Sequence, residues 1–348
     1  MIAAKIFSGE KFELESGSIL PGLEIAYHTW GDFRPEKNNV IWVCHALTAN
    51  SNVPEWWPGL FGEDCYFNPR DHFIVCANIL GSCYGSTGPL SANPETEKPY
   101  YGSFPTVTVR DMIKAHQLLA KHLGITKIHT ILGGSLGGQQ AMEWAITEPD
   151  RIDHAILIAT NAVHSPWGIA FNESQRMALT ADETFGLPSP DAGAKGLKAA
   201  RAIAMLSYRN YKTYELTQTD EDRSRLENYR ACSYQQYQGQ KLVNRFNAYS
   251  YWTLSRAMDT HDVARNRGSL ERALGGITAR TLVIGISSDV LFPITEQQLL
   301  ARLIPGAHFV EIDSVYGHDG FLIETALLAE HIGAFLNKTA KKFEFQQG

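Results

Sequence analysis

Six short runs of almost unbroken apolar, largely β-branched residues constrain this chain more than any other feature; they occupy 40–44, 73–77, 128–132, 155–158, 281–285 and 309–312. A strand that is apolar on both faces must be covered on both faces, which is the condition of a parallel sheet flanked by helices. Helical patterns lie between the runs. Over 107–123, Met112, Ala115, Leu119 and Leu123 fall near one face, and 323–336 reads as a closing helix. The expected fold is therefore α/β, with a mostly parallel, doubly wound sheet. The alternation breaks over 161–275, which has no convincing buried strand and is rich in Arg, Tyr, Gln and Ala. Strands of the same character resume after it, which favours a helical lid inserted into one sheet over a separate helical domain. The expected organisation is a core of 1–160 and 276–348 with a lid of 161–275. The polar tail from Lys338 is expected to fray.

Composition closes off several classes of function. The net charge is −6 with no basic cluster, so a nucleic-acid partner has no electrostatic support. No apolar run is long enough to span a bilayer, and 1–12 lacks the basic-then-apolar pattern of a signal peptide. The five cysteines form no C-x-x-C pair, and Cys44 and Cys76 sit inside apolar runs. Reduced, buried thiols in a cytoplasmic protein are the simplest account. No H-E-x-x-H or other close metal-ligand pattern occurs, so neither a metal nor a bound cofactor is expected.

The chemistry is carried by Gly133-Gly134-Ser135-Leu136-Gly137, a G-x-S-x-G motif that follows the 128–132 run and opens a helix expected over 138–147. Its glycines suit a sharp turn in which neighbouring side chains would clash, and the turn pushes the serine hydroxyl into the open. Ser135 is the expected nucleophile; the alternative is a glycine-rich connection with no chemistry. A serine hydroxyl needs a histidine base oriented by a carboxylate, in the chain order Ser, Asp or Glu, His on this kind of fold. Asp289 follows the 281–285 strand and His318 lies in Tyr316-Gly317-His318-Asp319-Gly320 after the 309–312 strand, so the order is right. Asp289 could instead cap the next helix, and His261 and His308 are rivals to His318. An oxyanion hole needs two N–H donors: Leu136, next to the nucleophile, and Leu47, in the loop His45-Ala46-Leu47-Thr48 after the first strand. The segment 81–89 lacks the ending of a phosphate loop and is expected to form a wall of the active site.

Taken together these motifs resemble the homoserine O-acyltransferases of the α/β-hydrolase fold. The resemblance runs through His45 to Thr48, Ala77 to Pro89, Phe104 to Asp111, Gly133 to Gly138, Phe171-Asn172-Glu173, Ser288 to Pro293 and Gly317-His318-Asp319-Gly320-Phe321. It implies acyl transfer from acyl-coenzyme A, with acetyl-coenzyme A as co-substrate, to the hydroxyl of L-homoserine on the way to methionine. The implied course is ping-pong through an acyl-serine, in a homodimer joined by the lid. It also implies that Ser135, Asp289 and His318 form the triad, that Asp319 meets the substrate ammonium, and that Arg201 meets its carboxylate, with Arg209 a rival. Two departures stand out: the family more often has Asn at His45, and the lid over 187–194 is shortened, which loosens the match at Arg201. An amino-acid acceptor independently calls for one cation and one anion beside the base. The alternatives are a homoserine O-succinyltransferase, a serine O-acyltransferase, an esterase or thioesterase with the same triad, or a binding protein that kept the fold without the chemistry. Tyr234, Tyr237, Tyr249 and Trp252 are expected to be exposed and available for self-association.

Overall fold

A computed structural model describes residues 5–9 and 11–344. Its strands in chain order are β1 (Lys5–Gly9), β2 (Phe12–Glu13), β3 (Ile19–Leu20), β4 (Leu23–Trp30), β5 (Val40–Cys44), β6 (Phe73–Ala77), β7 (Ile128–Gly134), β8 (Ile152–Ile158), β9 (Arg280–Ile286) and β10 (His308–Ile312). Eight of them form one sheet in the order β1-β4-β6-β5-β7-β8-β9-β10, and β2 pairs with β3 in a separate ribbon. From β6 to β10 every pairing is parallel, for example Val40 with Phe73 and Ile41 with Thr130. All five residues of β5 and of β6 are buried, as unbroken apolar runs require. β1 and β4 add an antiparallel edge to this frame.

The flanking helices are α1 (Val53–Trp56), α2 (Val109–His122), α3 (Leu136–Thr147), α4 (Pro166–Thr180), α5 (Ala194–Tyr208), α6 (Tyr211–Gln218), α7 (Arg230–Val243), α8 (Ala248–Asp259), α9 (Leu270–Gly275), α10 (Ile294–Leu303), α11 (Gly320–Ile323) and α12 (Thr325–Glu344). One face of the sheet packs Trp42, Met112, Trp144 and Leu300 together, with the Trp42 and Trp144 rings edge to face at 4.9 Å. The other face packs Trp57, Phe67, Leu328 and Ile332. α2 starts at a capping box in which the Asp111 N–H donates to Thr108 Oγ1 and the Thr108 N–H to the Asp111 carboxylate.

Two features of this topology position a site. β5 has β6 on one side and β7 on the other, so the chain leaves the ends of β5 and β7 in opposite directions and opens a crevice there. β8 and β9 are hydrogen-bonded neighbours although α4 to α9 intervene in sequence. The structure differs from the sequence expectation at the ends of elements. α3 starts two residues early, because Leu136 is already helical, and the closing helix runs on from α11 through α12 to Glu344. Residues 1–4, Glu10 and 345–348, at the ends read above for a leader and for fraying, lie outside the described residues. No described helix is long and apolar enough to cross a membrane.

Candidate active site

Ser135 follows β7 and stands at the N-cap of α3 with φ 57° and ψ −126°, a positive-φ conformation that costs a non-glycine residue about 1–3 kcal/mol. The surrounding contacts hold it there: its N–H donates to Ile158 O (2.9 Å), and Thr160 Oγ1 donates to its carbonyl (2.8 Å). The glycines of the motif are steric necessities. A Cβ on Gly137 would come within 2.1 Å of the Cys44 carbonyl oxygen, and one on Gly134 within 2.4 Å of the Phe321 ring. The Leu136 N–H belongs to the first turn of α3, whose donors have no partner within the helix.

Asp289 follows β9 and uses its two oxygens differently. Oδ1 accepts the N–H groups of Leu291 and Phe292, both at 2.9 Å, and Oδ2 lies 2.6 Å from His318 Nδ1. Asp289 does not cap the next helix, the alternative read from sequence: α10 starts after Pro293 with no side-chain cap, and the N–H groups Asp289 accepts belong to the loop before it. His318 is buried in the turn after β10, its ring stacked on Phe292 at 5.0 Å with Phe321 and Tyr208 against its other sides. The rivals are elsewhere: His261 is buried with Nε2 3.1 Å from Asn161 O, and His308 stacks on Phe335.

A cavity of about 60 Å³ collects the remaining residues: Ala46, Leu47, Thr48, Ser135, Arg201, Tyr208, His318, Asp319, Phe321 and Leu322 line it. Of the residues picked from sequence, Leu47, Ser135, Arg201, His318 and Asp319 border it; Asp289 stands behind His318, Leu136 is one residue beyond Ser135, and Arg209 lies outside the lining. Ser135 and His318 line the same cavity. The two lid arginines make different contacts. Arg209 Nε lies 3.1 Å from Asp319 Oδ2, an ion pair, whereas the Arg201 guanidinium rests over the Tyr208 ring at 5.1 Å and borders the cavity. Burial pushes the Asp319 carboxyl above its ordinary value, against the pull of Arg209, Arg201 and His318.

Tyr208 was not found from sequence, although it lies seven residues, two helical turns, after Arg201 on α5 and so shares its face. The segment 81–89, expected as a wall, does not border the cavity; it packs beneath α8, with Gly81 close to Thr253 and Leu254. The expectation of exposed lid aromatics fails at Tyr249, which is buried against Phe185 with its hydroxyl on Leu187 O. Trp252 is half-buried against Phe185 and Tyr234 is half-buried against Tyr214, while Tyr237 is exposed. Among the described residues no three His, Cys, Asp or Glu side chains converge as a metal site.

The α/β hydrolase fold family matches residues 39–325. A protein of Cyclobacterium marinum described as homoserine O-acetyltransferase is 50% identical over 315 residues, covering 90% of each chain. Among solved structures, homoserine O-acetyltransferase from Bacillus anthracis superposes with a TM-score of 0.88 at 24% identity, over 97% of this chain and 98% of that one. The esterase E22 superposes equally well, with a TM-score of 0.89 at 22% identity over 97% and 100%, so the fold by itself does not separate transfer from hydrolysis. The identity carried over nine-tenths of the sequence does separate relatives, and by it the chain belongs to the homoserine O-acetyltransferases of the α/β-hydrolase fold.

Proposed function

We propose that this protein transfers the acetyl group of acetyl-coenzyme A to the hydroxyl of L-homoserine, giving O-acetyl-L-homoserine for methionine synthesis. Ser135 attacks the thioester carbonyl while His318 takes its proton; Asp289 holds the imidazole through Nδ1, leaving Nε2 for the exchange. The Leu47 and Leu136 N–H groups receive the developing oxyanion. The thiol departs with the proton from His318, leaving an acetyl-serine. The homoserine hydroxyl then gives its proton to His318 and attacks the acetyl group, which returns Ser135. Arg201 takes the acceptor carboxylate and Asp319 its ammonium, with Arg209 balancing Asp319 from the far side. No metal or cofactor enters this scheme. We take 1–160 and 276–348 as the catalytic core and 161–275 as a lid that brings Arg201, Tyr208 and Arg209 to it. Five unpaired cysteines agree with a cytoplasmic site of action.

The observation that carries this reading is the pair of opposite charges, Arg201 and Asp319, bordering one small cavity with Ser135 and His318. An ester hydrolase has no need of both; an amino-acid acceptor does. The test measures coenzyme A release from acetyl- and succinyl-coenzyme A, each with homoserine, with serine and with no acceptor. Release should require acetyl-coenzyme A and homoserine together beyond the first turnover. Equal steady release without acceptor would make the protein a thioesterase, and faster release with succinyl-coenzyme A or with serine would correct the donor or the acceptor. We further propose a homodimer through the lid, where Leu206, Tyr211, Leu216 and Tyr237 on α5 to α7 are exposed. Sedimentation at micromolar concentration should give twice the chain mass.

A further inference from the structure

The loop that carries Leu47 is a turn, and it is gripped from two sides. Residues 46–49 close through the Ala49 N–H on Ala46 O at 3.0 Å. In such a turn the N–H of the second residue, Leu47, takes no part in the closing bond and is left for another acceptor. On the core side stands His45, fully buried. Its Nε2 accepts the Ile79 N–H at 3.1 Å, which assigns the proton to Nδ1, 2.9 Å from Ala46 O. On the lid side stands Arg245, in the link between α7 and α8. Its Nη1 donates to the Thr48 carbonyl and to Tyr84 Oη (2.6 Å), and its Nη2 lies 3.5 Å from Thr48 Oγ1. Tyr84 is itself anchored, its carbonyl accepting from Asn78 Nδ2 at 2.8 Å and its ring set edge-on to Phe246.

We infer that Arg245 is a positioning residue: the lid reaches over the cavity rim with this guanidinium and holds the 46–49 turn where the Leu47 N–H meets the oxyanion. The inference rests on the serine acyl-transfer reading above. Its consequence is that the oxyanion hole is complete only while the lid is seated. His45 holds the Ala46 carbonyl, which shares its peptide plane with the Leu47 N–H, and Arg245 holds the Thr48 carbonyl at the far end of the turn, so the turn is fixed at both ends. A planar fork that serves Thr48 and Tyr84 at once does what a single point donor cannot. An alternative task for a cation at this rim is binding the phosphates of coenzyme A. The reach argues against it: Thr48 borders the same cavity as Ser135, so the guanidinium sits at the thioester end, and the long pantetheine arm separates that end from the phosphates.

The experiment compares two donors, acetyl-coenzyme A and p-nitrophenyl acetate, which has no phosphate. The readouts are the pre-steady-state acylation rate with each, inhibition by methylboronic acid, the KM for homoserine and the melting temperature. Arg245→Met should slow acylation by both donors alike, roughly ten- to a hundredfold, because a displaced oxyanion donor costs about that. Binding of the tetrahedral boronate should weaken by the same factor, with homoserine KM and melting temperature little changed. Should the methionine variant not fold, Arg245→Lys, which keeps the charge and loses the fork, should slow both donors alike by about three- to tenfold. Loss confined to acetyl-coenzyme A would reassign Arg245 to phosphate binding, and unchanged acylation by both would remove its role; either overturns the inference. The unsubstituted protein serves as the control: absence of any p-nitrophenolate burst there would overturn the Ser135 reading itself, not the placing of Arg245 alone.

Discussion

Two side chains in the cavity, Asp319 and Ser135, let the proposed binding and chemistry be tested apart. Asp319 sits next to the base in sequence, and its Oδ2 lies 3.1 Å from Arg209 Nε. An ammonium–carboxylate contact in a partly dry site is worth roughly 1.5–3 kcal/mol. Asp319→Asn should therefore lower kcat/KM for homoserine about ten- to a hundredfold. The coenzyme A burst without acceptor should hold its rate, because the carboxylate can reach the acceptor and not the far end of the thioester. If burst and acceptor use fall together, Asp319 is supporting His318 instead. Ser135→Ala should abolish the burst and the transfer with the fold intact, a loss of several powers of ten. Mass spectrometry after incubation with acetyl-coenzyme A alone should find an acetyl group on the peptide containing Ser135 and none in the variant. A variant keeping more than about a tenth of the rate loses under ~1.4 kcal/mol of barrier, too little for a nucleophile.

The strand–turn–helix unit of β7 and α3 works because backbone passes where side chains cannot. Gly137→Ala would bring a methyl group to 2.1 Å from the Cys44 carbonyl, so either β5 or α3 must shift. Overpacking of this kind typically costs about 1–3 kcal/mol. It should lower the urea midpoint and, by moving Leu136 relative to the turn after β5, slow acylation as well; a melting curve and burst rate equal to those of the unsubstituted protein would refute the steric account. This element was legible in sequence because its glycines, apolar run and helix are local. The six parallel strands, β5 to β10, were legible for the same reason. β1 to β4 were not: β2 and β3 are two residues long, and β4 mixes His28 and Thr29 among its apolar residues, so neither gives an unbroken run. Within the site, Ser135, Asp289 and His318 could be read from motifs and chain order. Tyr208 and Arg245 could not, because what they do depends on how α5 and the α7–α8 link come to rest over the sheet. The same holds for Tyr249: an aromatic in a polar segment shows its exposure only once its neighbour Phe185, 64 residues earlier, is placed.

At the scale of the whole molecule, burial of neutral histidines sets how the protein meets acid. Burial lowers His45, His129 and His164 to about 4 and His116 and His261 to about 3. In the unfolded chain each titrates near the ordinary value of 6.5. Between that value and about 4 the unfolded chain binds protons that the folded protein refuses, so stability is full above 6.5 and is lost as pH falls. Each such group contributes a slope of up to about 1.4 kcal/mol per pH unit, against a total stability of roughly 5–15 kcal/mol. Glu296 works the other way. Burial raises it from 4.5 to about 7, so the folded protein holds that proton more tightly and gains stability as pH falls across that window. Burial also raises Asp111, Asp259 and Asp319 and lowers His72 and His154, so four carboxyls offset part of what seven histidines lose. The urea midpoint should therefore be highest near neutrality and drop steeply between pH 6.5 and 4.5, before most surface carboxylates titrate. His45→Asn should flatten part of that drop: its amide nitrogen stands where Nδ1 does and can donate to Ala46 without a proton to gain, while the Nε2 contact with Ile79 is lost. The drop in its melting temperature from pH 7.5 to pH 5 should be smaller than that of the unsubstituted protein. Parallel curves at both pH values would show that His45 is not among the groups whose protonation unfolds the chain.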